Sequence, residues 1–142
     1  MQISAKADYA VRAMLELAAH GPDLVKSELL ISHQGLPRKF VEAILAELGR
    51  AQLVQSHRGP EGGYTLARPP ERVTLGSILR AVDGPLAEVR GFSPAEMAYD
   101  GAAKHLPEVW VAVRASLRKV LDGRLPRHVQ KMIDPVDAWE SR

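Results

Sequence analysis

Cysteine is absent from all 142 positions. Its absence excludes disulfides, thiolate nucleophiles and any all-cysteine metal site. Long apolar runs are missing too: nowhere do 18 apolar residues follow one another, and the N-terminus carries no signal-peptide pattern. No membrane association is expected, and a cytoplasmic location is the default. Neither sign of charge dominates, because 19 Lys and Arg face 17 Asp and Glu and leave a net +2. Any nucleic-acid footprint must come from where the basic residues sit rather than from their total. Catalytic patterns are lacking as well. His20, His33, His57, His105 and His128 fall on different predicted elements and form neither HExxH nor another ligand pair. No Ser sits in a nucleophile elbow, and there is no dinucleotide fingerprint. An enzyme is therefore not expected. What remains is an ordinary globular composition, 46% hydrophobic and 25% charged, of a size for one domain, or for a small domain plus an appended oligomerisation element.

The stretch that organises the chain runs from Gly35 to Leu66, GLPRKFVEAILAELGRAQLVQSHRGPEGGYTL. The spacing predicts a helix opening at Pro37, whose fixed φ suits a first helical position. Phe40, Val41, Ile44, Leu45, Leu48 and Ala51 recur at the helical period and form a face for a core. Lys39, Glu42, Ala43, Ala46 and Arg50 fall on the other face. Arg38 and Lys39 stand in the first turn, where a cation is unfavourable to the helix dipole unless an anion is near; a DNA phosphate would be one. The two alanines add no bulk, so the backbone could approach the floor of a groove about 12 Å wide. A hairpin follows, with Leu53 to Arg58 as one strand, Gly63 to Leu66 as the return, and a joining loop, Gly59 to Gly63, that holds three glycines. Such a loop suits close approach to a backbone or groove, and Arg58 at its base is placed to enter a minor groove or grip phosphate. GPEGG is not a nucleotide-phosphate loop, since no GK[ST] follows it. The layout predicts a mainly α chain with a small β wing, a winged helix-turn-helix.

The flanking segments fit that layout. Ser4 is expected to cap a first helix running to about Ala19, with Tyr9, Ala10, Ala13, Met14 and Leu17 inward; His20, Gly21 and Pro22 stop it. Val25 to His33 reads as a short second helix capped by Lys26 or Ser27, with Leu29 and Leu30 buried and Gln34–Gly35 turning into the third. Thr74 caps a further helix, Leu75 to Val82. Residues 87–104 lose all periodicity apart from one helical turn at Pro94 to Ala98. Then Leu106, Val109, Trp110, Val113, Leu117, Val120 and Leu121 recur at spacings of three and four, a helix that needs a surface to bury against. A second copy of the chain is the natural candidate, because DNA-binding helices work in pairs across a two-fold axis. The expected organisation is a DNA-binding domain at 1–86, an irregular loop of sensor type at 87–104, a long dimerisation helix at 105–123, and a tail at 124–142 with partial order at Leu125 to Met132.

The helix GLPRKFVEAILAELGRAQLV, the R-G-P-x-G-G-Y wing and the VTLGSILRAVDG helix together make this chain resemble the winged-helix repressor family of IscR, NsrR and CymR, the Rrf-two type, as far as about Met132. The resemblance implies a homodimeric bacterial transcription regulator, usually a repressor, on an imperfect palindrome of double-stranded DNA. It places the helix at Pro37 in the major groove and the wing in the minor groove. Pro37, Lys39, Phe40 and Glu42 then fall where relatives touch DNA, and Arg58 falls on the wing arginine. A carboxylate at Glu42 would accept from cytosine N4 and repel phosphate, selecting sequence rather than adding affinity. Lys26, Ser27, Arg38, Arg50, Gly59, Gly62, Gly63 and Tyr64 complete the expected DNA-binding set.

One departure stands out. Many relatives hold an iron–sulfur cluster on three cysteines in the loop before the dimerisation helix, and this loop has none. Asp8, Glu88, Glu96, Asp100 and His105 keep ligand chemistry but lie scattered and lack thiolate, so no cofactor is expected. The signal would then be a small organic effector, a protein partner, or nothing. Clustering of rare aromatics suggests an effector pocket of Tyr9, Met97, Tyr99, His105 and Trp110. The rival to a DNA-binding regulator is a winged-helix module for protein interaction. The region from Arg38 to Arg72 permits it, because Arg38, Lys39, Arg50, Arg58, Arg68 and Arg72 barely outnumber Glu42, Glu47, Glu61 and Glu71.

Overall fold

The computed structural model describes residues 1–123. The tail, including the partial order expected at Leu125 to Met132, lies outside them. The chain is mainly helical, with α1 at Ala5–His20, α2 at Ser27–Gln34, α3 at Arg38–Arg50, α4 at Leu75–Asp83 and α5 at Leu106–Leu121, and one antiparallel hairpin of β1, Val54–His57, and β2, Gly63–Leu66. Ser4 caps α1 by accepting from the Ala7 N–H, and Thr74 caps α4 through a reciprocal pair with Ser77. Among the described residues no helix is long and apolar enough to cross a membrane.

The core forms where α1, α3 and α4 meet the wing. Ala7, Ala10, Ala13, Met14 and Leu17 of α1 interlock with Val41, Ile44, Leu45 and Leu48 of α3 and with Ile78, Leu79 and Val82 of α4, all buried. The small residues of α1 let α4 come close, and burying such a set supplies the main driving force. Leu36 and Leu53 close the core at the two ends of α3.

Several boundaries differ from expectation, each for a physical reason. Pro37 is the N-cap of α3 rather than its first helical residue. Val25 is not helical. It exchanges two backbone hydrogen bonds with Tyr64, at 2.9 and 2.8 Å, so the chain before α2 extends along the wing. Phe40 is not core: it is 46% exposed, because a helical step of about 100° carries it off the stripe that begins at Val41. Gly35 takes φ +62, the left-handed turn that lets α3 leave α2 at once. The histidines do not all stand apart, since the His20 and His33 rings lie 6.0 Å apart across the α1–α2 joint.

Residues 87–104 have more structure than the sequence suggests. Short 3₁₀ turns form at Pro94–Glu96 and Gly101–Ala103, Val89 bridges Phe92, and Pro94 is buried. The first turn packs on α5, where Arg114 donates to the Ser93 hydroxyl at 2.9 Å. The end of α5 is tied to α4 by Arg80, which grips both Asp122 oxygens, Nη1 to Oδ1 at 2.7 Å and Nη2 to Oδ2. Those hydrogen bonds hold the Asp122 carboxyl below the usual carboxylate range.

Candidate nucleic-acid interface

The outward face of α3 carries Arg38, Lys39, Phe40, Glu42, Ala43, Ala46 and Arg50, all exposed. Lys39 Nζ sits 4.9 Å above the Phe40 ring, a cation–π contact that holds both side chains over the start of the helix. Beside this face runs a groove of about 580 Å³, walled by Glu42, Ala46, Gly49 and Arg50 of α3 and by Gln55, Ser56 and Tyr64 of the wing. Gln55 and Ser56 escape the sequence-level list. Their signal is the burial pattern of β1, where Val54 points inward and the next three residues stay exposed.

The wing is braced rather than pliant. A second groove, between the start of α2 and the hairpin, is lined by Lys26, Ser27, Glu28, Arg58, Gly59 and Gly62 to Tyr64. Across it Lys26 Nζ donates to the Pro60 carbonyl at 2.8 Å, tying the wing tip to the N-cap of α2. His57 and Thr65 meet across the strands at 3.0 Å. Gly62 is buried and donates its N–H to the Gly59 carbonyl at 2.9 Å; a Cβ there would land on the His57 carbonyl oxygen and lie 2.9 Å from both the Arg58 carbonyl carbon and the Gly59 oxygen. At Gly63 a Cβ would lie 2.9 Å from the Val25 oxygen. These glycines thus make room for the protein's own backbone, and Gly62 is largely covered by it. Gly59, by contrast, is exposed. Arg58 stands exposed at the hairpin bend and makes no ion pair among the described residues.

Arg38 departs from expectation. The anion near it is internal: Glu28 of α2 receives its guanidinium at 2.8 and 3.0 Å. The fork-to-fork bonds hold the Glu28 carboxyl below its ordinary range and push Arg38 up. Both side chains are well exposed, so the pair adds little net stability.

The residues of the expected aromatic pocket have varied surroundings among the described residues. Tyr9 packs against the core, with the Arg12 guanidinium 5.1 Å above its ring. His105 is exposed and pairs with Glu108 at 3.2 Å. Neither groove above is lined by any of the five expected residues, nor is the apolar cleft between α1 and α4. Trp110 is half-buried on α5, and its indole N–H is buried without a partner among the described residues. On α5 itself nothing is fully buried, and Val109, Val113 and Val120 are between 45% and 64% exposed. Two of the residues with ligand chemistry have local partners: Asp8 pairs with Arg12 at 3.1 Å and Glu96 accepts from the Ser93 N–H at 3.0 Å, whereas Asp100 stands at the N-cap of a 3₁₀ turn without a side-chain cap bond.

Comparison with known proteins bears on this geometry. Residues 3–125 match a family model described as Rrf2, iron-dependent transcriptional regulator. A Mycobacterium tuberculosis protein described as a helix-turn-helix-type transcriptional regulator, Rv1287, is 45% identical over 151 aligned residues, covering 99% of this chain and 94% of that one. CymR of Bacillus subtilis, described likewise, is 36% identical over 127 residues, with 87% and 85% covered. Among solved structures, that of CymR, the global cysteine regulator of B. subtilis, superposes with a TM-score of 0.75 at 29% identity over 94% and 96% of the two chains. That of T. potens IscR gives 0.71 at 31% identity over 100% and 91%.

Proposed function

Because this chain belongs to the Rrf2 family of transcriptional regulators, we propose that two copies act together as a sequence-specific repressor on an imperfect DNA palindrome. Family membership makes it a winged-helix regulator of transcription and not an enzyme. The finer reading is ours. Residues 1–86 form the DNA-binding domain, 87–104 a loop of sensor type, and 105–123 the dimerisation helix.

The observation that carries the reading is the pairing of two exposed features on one side of the molecule. The α3 face presents Lys39, Phe40, Glu42 and Arg50 around two alanines, and the braced wing next to it holds Arg58 outward. A helix of this width enters a major groove, and an arginine on an adjacent rigid loop reaches phosphate or the minor groove. Lys39, Arg50 and Arg58 supply affinity through phosphates. Glu42 supplies choice, because a carboxylate tolerates a cytosine amino group and rejects phosphate. The half-exposed valines of α5 support pairing through that helix, which would set two α3 helices about one DNA turn apart.

No iron–sulfur cluster belongs to this reading. The loop that would hold one has no thiolate, its Glu96 accepts from the Ser93 N–H, and His105 beyond it pairs with Glu108. The test is selection from a random duplex pool with purified protein, followed by titration at several salt concentrations. The reading expects a two-fold symmetric consensus and an affinity that falls with salt at a log–log slope of about −0.9 per phosphate contact. No enriched sequence and a flat salt response would replace it with a protein-interaction module.

A further inference from the structure

Glu16 and His20 stand one turn apart on α1, and His33 reaches them from the last turn of α2. Their ligand atoms all lie within 4.8 Å of one another, the one such cluster of three among the described residues. From these distances we propose that Glu16, His20 and His33 bind a divalent transition metal, for which Zn²⁺ is the representative.

The geometry is close to what such an ion requires. Glu16 Oε2 lies 3.4 Å from His20 Nδ1 and 3.5 Å from His33 Nδ1. Two donors bonded to one tetrahedral zinc at about 2.0–2.1 Å sit roughly 3.3–3.5 Å apart. The other carboxylate oxygen is already occupied, since Gln34 Nε2 donates to Glu16 Oε1 at 2.6 Å. A fixed carboxylate with one oxygen left over is the arrangement in which an outer partner orients a metal ligand. Burial is graded: the Glu16 side chain is 14% exposed, His20 36% and His33 51%, which leaves solvent a path to a fourth position. Arg12, one turn before Glu16, places its guanidinium on Asp8 and on the Gln34 carbonyl, so its charge is already partnered.

One hydrogen bond must be exchanged. His20 Nδ1 faces the Glu16 carbonyl oxygen at 2.9 Å. Coordination through Nδ1 gives up that bond and leaves the ring proton on Nε2. Two imidazole nitrogens and one carboxylate oxygen select borderline cations over Mg²⁺ or Ca²⁺, which prefer all-oxygen shells. The ion would pin the end of α1 to the end of α2.

The experiment uses the full chain, stripped with a chelator and titrated with ZnCl₂ by calorimetry, with melting temperature as a second readout. The expected result is one zinc per chain, a melting temperature raised by several degrees, and no comparable response to Mg²⁺. His33→Ala and Glu16→Gln should each lower zinc affinity at least tenfold, while His105→Ala and His128→Ala leave it unchanged. His33 is half exposed, so the metal-free His33→Ala protein should melt with the metal-free parent. Absence of zinc uptake, wild-type affinity in His33→Ala, or loss of affinity in His105→Ala or His128→Ala would overturn the proposal.

Discussion

Replacing Gly62 with alanine tests whether the wing is held rigid by its own main chain. The added methyl would land on the His57 carbonyl oxygen and lie 2.9 Å from two further backbone atoms, none of which can rotate away. The bend must shift. The Gly62–Gly59 hydrogen bond and the last ladder pair, His57 with Gly63, shift with it. Overpacking of this kind costs about 1–3 kcal/mol, and the lost hydrogen bond about 1 more. At about 3 °C per kcal/mol for a chain this long, the melting temperature should fall by up to about 10 °C. The wing lies at the edge of the molecule and can open without the core, so the loss stays below the sum. DNA affinity should suffer as well. If each wing of a dimer contributes about 1.4 kcal/mol through Arg58, losing both lowers affinity about 100-fold. Melting followed by circular dichroism and fluorescence anisotropy on a labelled duplex measure the two effects. Gly59→Ala is the companion: its methyl meets nothing within 4 Å, and only the backbone conformation at φ +100 resists it. An unchanged melting temperature and affinity in Gly62→Ala would refute the claim that the wing is braced.

Other predictions follow from the same geometry. Arg58→Ala should weaken specific and random DNA alike and flatten the salt slope by about 1.8 for the two contacts a dimer loses; Glu42→Ala should instead relax preference at one base pair of each half-site by about 1–3 kcal/mol, read from competition between operator variants. Asp122→Asn should destabilise by about 1 kcal/mol or less, since both partners are about one-third exposed. Because the folded-state carboxyl is held below its ordinary value, that contribution is present above about pH 4. It fades as pH falls through the folded-state value, so urea melts of variant and parent should converge in acid. Val113→Glu sets a charge on the exposed stripe of α5 in each copy, and sedimentation should show dimer dissociation strengthened at least about 100-fold, or about 3 kcal/mol.

The parts of the fold legible in the sequence are those governed by neighbours in the chain. The stripe Val41, Ile44, Leu45 and Leu48 is set by helical period, the Ser4 and Thr74 caps by local hydrogen bonding, and the β2 strand by its glycine-bounded run. The exposed face of α3 follows from the same stripe by exclusion. What escapes is set by packing between distant segments. Nothing local to Val25 says that Tyr64 will pair with its backbone, or that Lys26 will hold the Pro60 carbonyl. Arg38 reads as a cation waiting for phosphate because Glu28 comes near only once α2 and α3 cross. Phe40 fails for a subtler reason: it borders the apolar stripe, and hydrophobicity alone does not say which side of a border is covered. Glu16, His20 and His33 share a site only because the turn from α1 into α2 folds the end of one helix back on the other.

The account rests on two chains presenting α3 and the wing to successive grooves of one duplex. Its most direct measurement is the mass of the complex on a selected symmetric operator, by sedimentation or light scattering. The account predicts two chains per duplex, with both half-sites protected one helical turn apart and binding collapsed when either half-site is scrambled. A single chain bound with full affinity to one half-site would contradict it.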